Sequence, residues 1–114
     1  MPIYSDVHLN DVGTEFLATI IQNVGGTESP MDVSDALIKQ MIIRKPDGTV
    51  LTKQAIFTPI TSGATGTGSD GKISYFTIAG DLDIPGTYRI QATVSNAQGQ
   101  WYSSIDRFKV VSNL

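Results

Sequence analysis

The chain contains no cysteine, a single histidine and a single tryptophan. Without cysteine there can be no disulfide, no thiolate nucleophile and no thiolate-ligated metal. With His8 alone there is no pair of imidazoles for the usual zinc geometry and no cysteine partner for proton transfer, so His8 reads as a strand or rim residue rather than a general base. No apolar stretch approaches the roughly 18 residues that a membrane-spanning helix needs, so no membrane is expected as partner. The opening "MPIYSDVHLN" has neither the positive segment nor the apolar segment of a signal peptide. Basic residues are also scarce, 8 against 11 acidic for a net charge of −3, and no basic run exceeds Arg44-Lys45. That balance gives no electrostatic reason to expect nucleic acid. A chain free of disulfides suits folding in a reducing cytoplasm.

What is present is ordinary for a globular protein: 40% hydrophobic and 17% charged residues over 114 positions. Residues 1–114 read as one domain, large enough to bury roughly 65% of its unfolded surface. Apolar residues recur with period two far more often than with helical spacing, which points to strands. "TEFLATIIQ" (14–22) alternates Phe16, Ala18 and Ile20 with Leu17, Thr19 and Ile21, and is expected to be a strand buried on both faces. "LIKQMIIRKPDGTVLTKQAIF" spells a hairpin whose turn carries Pro46, with φ preset, Asp47, which accepts local amides, and Gly48, which tolerates positive φ. A helix starting at Asp32 or Ser34 is the rival for "DVSDALIKQMI", but the β-branched run and the turn directly after it favour a strand.

The stretch "GTGSDGKI" (66–73) imitates the phosphate-binding loop, with Gly66, Gly71 and Lys72 at the right offsets. Ile73 stands where a hydroxyl must hold Mg²⁺, and "KISYFTI" continues as a strand rather than as the helix whose amides would face a phosphate. No nucleotide is therefore expected. Residues 61–71, with four glycines and nothing larger than alanine among the apolar side chains, read as a flexible surface loop.

The richest segment is "GDLDIPGTYRIQATVSNAQGQWYSSIDRFKVV" (80–111). Tyr88, Ile90, Ala92 and Val94 should face a core, and Arg89, Gln91 and Thr93 water. Gly86 two residues ahead of Tyr88 suggests a tyrosine corner, in which the phenol hydrogen-bonds a backbone group upstream. Uneven phase between Trp101 and Phe108 suggests a bulge near Ser103-Ser104. With a short strand near "DVHLN", these runs make an all-β fold, an immunoglobulin-like antiparallel β-sandwich of about seven strands.

Candidate sites are few. Asp81, Asp83 and Asp70 could offer oxygens to Ca²⁺, but the calcium-hand spacing is absent, and their simpler role is to satisfy turn amides. No cofactor is expected. Trp101 and Tyr102 are strand neighbours and must point to opposite faces; the outward one, together with Tyr4 and His8 in the N-terminal segment 1–12, is the expected interaction surface. That segment is also a candidate assembly arm. Paired carboxylates or a nucleophile with its base are not apparent, so a hydrolase is disfavoured.

"DVGTEF", "IRKPDGTV", "YFTIAGDLDIPGTYRIQATV" and the closing "FKVV" occur in an order that resembles small immunoglobulin-like structural proteins of tailed bacteriophages. The "KPDGT" turn is similar to that of the N-terminal docking domain of phage baseplate upper proteins. The likeness spans about residues 10 to 111, with Ile90 where leucine is expected, and brings no active-site residues with it. It implies a non-enzymatic virion protein assembled in the bacterial host cytoplasm: a tail, baseplate or fibre-attachment component that docks neighbouring virion subunits, or a capsid decoration protein, present as a homo-oligomer or in many copies. A carbohydrate- or cell-surface-binding module that uses Trp101, Tyr102 and the turn aspartates is the alternative.

Overall fold

The period-two pattern becomes strands throughout the computed structural model, which describes residues 7–59 and 66–113. Eleven strand segments form: β1 (Val7–His8), β2 (Glu15–Thr19), β3 (Ile21–Val24), β4 (Thr27–Pro30), β5 (Ile38–Arg44), β6 (Val50–Gln54), β7 (Ile56–Phe57), β8 (Lys72–Phe76), β9 (Gly86–Ser95), β10 (Gln100–Tyr102) and β11 (Asp106–Val111). Three pairs of these are one run interrupted by a single break, namely β2/β3 at Ile20, β6/β7 at Ala55 and β10/β11 at residues 103–105. No helix forms among the described residues, and the Asp32 carboxylate binds the Ser34 amide (2.9 Å) in a turn instead of starting one.

The larger sheet runs β1-β11-β9-β5-β6, with β10 also paired to β9; a second sheet runs β2-β8-β7, and β3-β4 form a separate hairpin. The orders β11-β9-β5 and β2-β8-β7 match those of the two facing sheets of an immunoglobulin sandwich. One pairing departs from the antiparallel expectation: β1 lies parallel to β11, Val7 opposite Val110. Leu9 and Asn10 then bond Val111 and Leu82 through their amides, so residues 7–12 belong to the body of the fold. Residues 1–6 of the proposed arm, Tyr4 among them, lie outside the described residues.

The core lies between the sheets. Phe16 of β2 meets Phe108 of β11 at 4.6 Å between ring centroids, and Tyr88 of β9 stacks on Phe108 at 5.2 Å. Met41, Ile43, Ile73, Ile90 and Ala92 complete the layer. Burial of β2 is one-sided: Phe16 and Ala18 are buried while Leu17 and Thr19 are only half so, the pattern of a sheet packed on one face. Thr93, expected in water, is 3% exposed, since β10 lies beside it and its hydroxyl bonds the Trp101 carbonyl (3.1 Å).

Two expected devices are present in detail. The Tyr88 hydroxyl donates to the Ile84 carbonyl (2.6 Å) and accepts the Ile84 amide (3.2 Å), which closes the corner. Gly86 within it has φ +131°, and a Cβ there would come within 2.8 Å of the Pro46 ring, so only glycine lets the "KPDG" turn pack against the corner. That turn has Lys45 N–H on the Thr49 carbonyl (2.8 Å), Thr49 N–H on the Asp47 carboxylate (3.0 Å) and Gly48 at φ +90°. The second device is the bulge. Tyr102 opposes Thr93 and Asp106 opposes Ile90, so four steps on β10/β11 match three on β9. Ser103 fills the irregularity: its hydroxyl accepts the Ala92 amide (2.8 Å) and its amide reaches the Ala92 carbonyl (2.9 Å).

The glycine-rich loop is corrected in its second half. Gly66, Gly68 and Gly71 are buried. A Cβ on Gly68 would strike the Phe57 ring (2.5 Å), and the Gly68 carbonyl accepts the Val33 amide (2.9 Å). These glycines are small because neighbours press on them; residues 60–65 lie outside the described residues. Lys72 and Ile73 then enter β8 directly, with no helix to receive a phosphate.

Tyr88→Phe keeps the ring stacking and deletes both corner bonds. Removing them is expected to lower the unfolding free energy by about 1–2 kcal/mol, read as a lower midpoint in urea with an unchanged slope.

Candidate functional site

The structure separates the residues that the sequence offered as a surface. His8 is exposed on β1, where its amide bonds the Asp11 carboxylate (3.0 Å). Trp101 is half-buried, opposite Val94, and packs against the core, whereas Tyr102, opposite Thr93, is exposed on the outer face. β11 stands between β1 and β9, so His8 and Tyr102 lie on different strands of the sheet's flank. Pro46, Gly48, Gly86 and Tyr88 come together as the structural unit of turn and corner.

The aspartates are held by the fold. Asp81 is buried and accepts the Tyr75 hydroxyl, the Ile78 amide (2.9 Å) and the Lys53 ammonium (3.3 Å). Asp83 pairs with buried Lys45 at 2.6 Å, and the same ammonium donates to the Gly80 carbonyl (3.2 Å). Asp70 accepts the Lys72 amide (3.1 Å). Two lysines of the β5-β6 hairpin thus clamp the segment that leads into the tyrosine corner. Among the described residues no three His, Asp or Glu side chains converge as a metal site.

A different constellation emerges on the outer face of the larger sheet. Arg44 on β5 is directly opposite Arg89 on β9, and Arg89 is directly opposite Arg107 on β11. All three are exposed. Their backbones are spaced at the strand pitch of about 4.8 Å, which lines up three guanidiniums across about 10 Å. Lys109, also exposed and opposite Thr87, adds a fourth cation on the same face. No ion pair engages the three arginines among the described residues; Asp106 lines a cleft with Arg89 and Arg107, but without pairing distance to either.

Like charges directly opposite one another on neighbouring strands are destabilising, by a few tenths to about 1 kcal/mol per pair. Core packing does not compensate, because these side chains point away from it. Arg89 borders three adjoining shallow clefts, one of about 210 Å³ lined by Ile42, Gln91 and Ile105 as well as Arg44. Around them the face exposes Ile38 (49%), Val50 (48%), Tyr102 (53%) and Ile105 (59%). Guanidiniums remain charged and present planar forks of donors, so this row can bind carboxylates or other oxyanions. Arginine and tyrosine among aliphatic side chains is interface composition.

Sequence reasoning placed Arg89 in water but missed the row, because residues 44, 89 and 107 become neighbours only through strand register. A second feature had a local signal. Val24-Gly25-Gly26-Thr27 closes the β3-β4 hairpin with both glycines at positive φ (+61° and +88°), and a Gly-Gly pair between extended residues announces such a turn. The hairpin stands beside β10, where Gln22, Asn23, Glu28, Tyr102 and Ser104 line an open cleft of about 350 Å³.

The fold and this face define a β-sandwich of the immunoglobulin-like class with a basic, partly apolar sheet surface. No protein-family model matches the chain, and no curated protein is similar to it. Among solved structures it is similar to CopC from Methylosinus trichosporium OB3b, with a TM-score of 0.50 and 10% identity over 97% of this chain and 90% of that one. The likeness is one of fold.

Two outcomes are expected. Arg89→Gln relieves repulsion and should leave stability unchanged or raised by up to about 0.5 kcal/mol at low salt. The difference should vanish in concentrated NaCl, and a loss above about 1 kcal/mol in urea would make Arg89 a structural residue instead. The second concerns alkaline pH. The hydrogen bond to Asp83 raises the Lys45 pKa; burial, then Asp81, raises that of Tyr75; burial raises that of Tyr88. In each case folding favours the protonated form, so the stability it contributes is whole below about pH 10 and is lost as the pH climbs past the ordinary lysine and tyrosine values. The urea midpoint should therefore hold up to about pH 10 and fall progressively above it, and Asp83→Asn should remove the share that belongs to Lys45.

Proposed function

We propose that the chain is a non-enzymatic structural module of a tailed-bacteriophage virion, a tail, baseplate or fibre-attachment component that docks neighbouring subunits through the outer face of its larger sheet. The observation that carries the docking role is the row of Arg44, Arg89 and Arg107, a cost to folding on a face that also exposes Ile38, Val50, Tyr102 and Ile105. Exposed aliphatic and tyrosine side chains around guanidiniums that form no ion pair among the described residues support a partner for this face. The virion setting is supported by the order of the "DVGTEF", "KPDGT" and "GDLDIPGTY" motifs, which resemble those of small phage immunoglobulin-like proteins. Tyr102, expected as a contact residue, lies on the docking face; His8 lies at its β1 margin. A place on the capsid surface as a decoration protein uses the same face.

A second reading rests on the cleft beside the β3-β4 hairpin. Two amides, a carboxylate and the Tyr102 ring are the groups that hold a sugar by hydrogen bonds and ring stacking.

Purified phage particles from the producing strain test the first reading. The chain should sediment with particles in a fixed copy number, and its density should be located on the tail or head by electron microscopy. Particles that lack it overturn the proposal. Binding on a glycan array that Tyr102→Ala abolishes would move the assignment to the second reading.

A further inference from the structure

We infer that the arginine row is a binding site for a carboxylate-bearing protein segment, an acidic strand or loop of a different subunit seated across β5, β9 and β11. This deepens the docking role proposed above and rests on it.

The chemistry of the row selects the ligand. Each guanidinium presents a planar fork that a carboxylate fills with two parallel hydrogen bonds. Ile42 and Ile105 wall the cleft between Arg44, Arg89 and Gln91, so a bound carboxylate would be partly shielded from water and its pairing strengthened. Aliphatic residues between the cations also give a polypeptide something to cover, which a nucleic acid backbone lacks. The cations number four with Lys109, on a chain of net charge −3. That is enough for a short acidic segment, whereas a long polyanion would meet the repulsion of the whole molecule.

The occupant is not a second copy related by a twofold axis through this face. A twofold contact through this face would set arginine rows against each other. Among the described residues no registered strand pair places two carboxylates opposite one another, so none of these pairs offers a complementary ladder. Asp81 and Asp83 are already held by Lys53 and Lys45.

The test uses a decaglutamate peptide and, for comparison, a ten-residue oligothymidylate, each titrated into the intact chain by calorimetry at low salt. The peptide should bind, and Arg89→Ala should weaken it by about tenfold or more. Arg89→Lys, which keeps the charge and loses the fork, should fall between wild type and Arg89→Ala. Lys72→Ala, on the other sheet, should bind as wild type does. Absence of peptide binding, equal binding by Arg89→Ala, or tighter binding of the oligonucleotide overturns the inference. The two proposals fail separately. Particles that incorporate Arg89→Ala at the wild-type copy number sink the arginine site and leave the virion role standing. Peptide binding by a chain missing from particles does the reverse.

Discussion

The register of β9 between β5 and β11 is the constraint on which everything else depends. Side chains on a strand alternate faces, so one alignment sets Tyr88 and Ile90 inward and Arg89 outward together. A slip by one residue would bury the arginine and expose the corner tyrosine. The apolar core and the basic outer row are therefore two readings of one pairing, in which Ile43 opposite Ile90 and Arg44 opposite Arg89 are successive rungs. Selection for the core holds the guanidiniums in line without further help.

That register is pinned at one end of the sandwich. The Tyr88 hydroxyl grips the backbone of Ile84, Gly86 admits the Pro46 ring, and Lys45 and Lys53 hold Asp83 and Asp81. The two ion pairs differ in setting: Lys45 is buried with an exposed carboxylate, while Asp81 is the buried member of its pair. In both, the buried charge has a further hydrogen-bond partner, and truncating the opposite ion would leave it without its counter-charge. Charges at this end serve the fold, whereas those of the arginine row do not. Geometry, rather than charge count, distinguishes structural cations from binding ones.

Much of the fold was legible because its signals are local. Pro46, Asp47 and Gly48 specify a turn within four residues, Gly86 and Tyr88 specify the corner within three, and the uneven phase around Ser103 announced the bulge. What was hidden is what depends on residues far apart in the chain. The burial of Thr93 needs β10 beside it, the parallel pairing of β1 needs β11, and the tight fit of Gly68 needs Phe57. The glycines of 66–71 looked like freedom because composition cannot distinguish a residue that is small in order to move from one that is small because a ring lies against it. The arginine row was hidden for the same reason: each member read as a solvated residue on its own strand. Only the Gly-Gly hairpin carried a local sign that the sequence reading passed over.

The bulge at Ser103 has a wider consequence. Tyr102 faces outward, and an uninterrupted strand would carry that face to residues 106 and 108 by simple parity. The one additional residue shifts the count from even to odd, so that Phe108 enters the core and Arg107 joins the row. The length of the segment between Tyr102 and Asp106 thus decides which side of β11 faces in: deletion of one residue there would leave three steps against three, a regular strand with Phe108 still inward and no bulge, whereas deletion of two would exchange inside for outside along β11 unless β9 bulged in turn. In a chain one residue shorter the faces of β11 would need no bulge at all; in this one Ser103, bonded twice to Ala92, is what holds the additional residue in place.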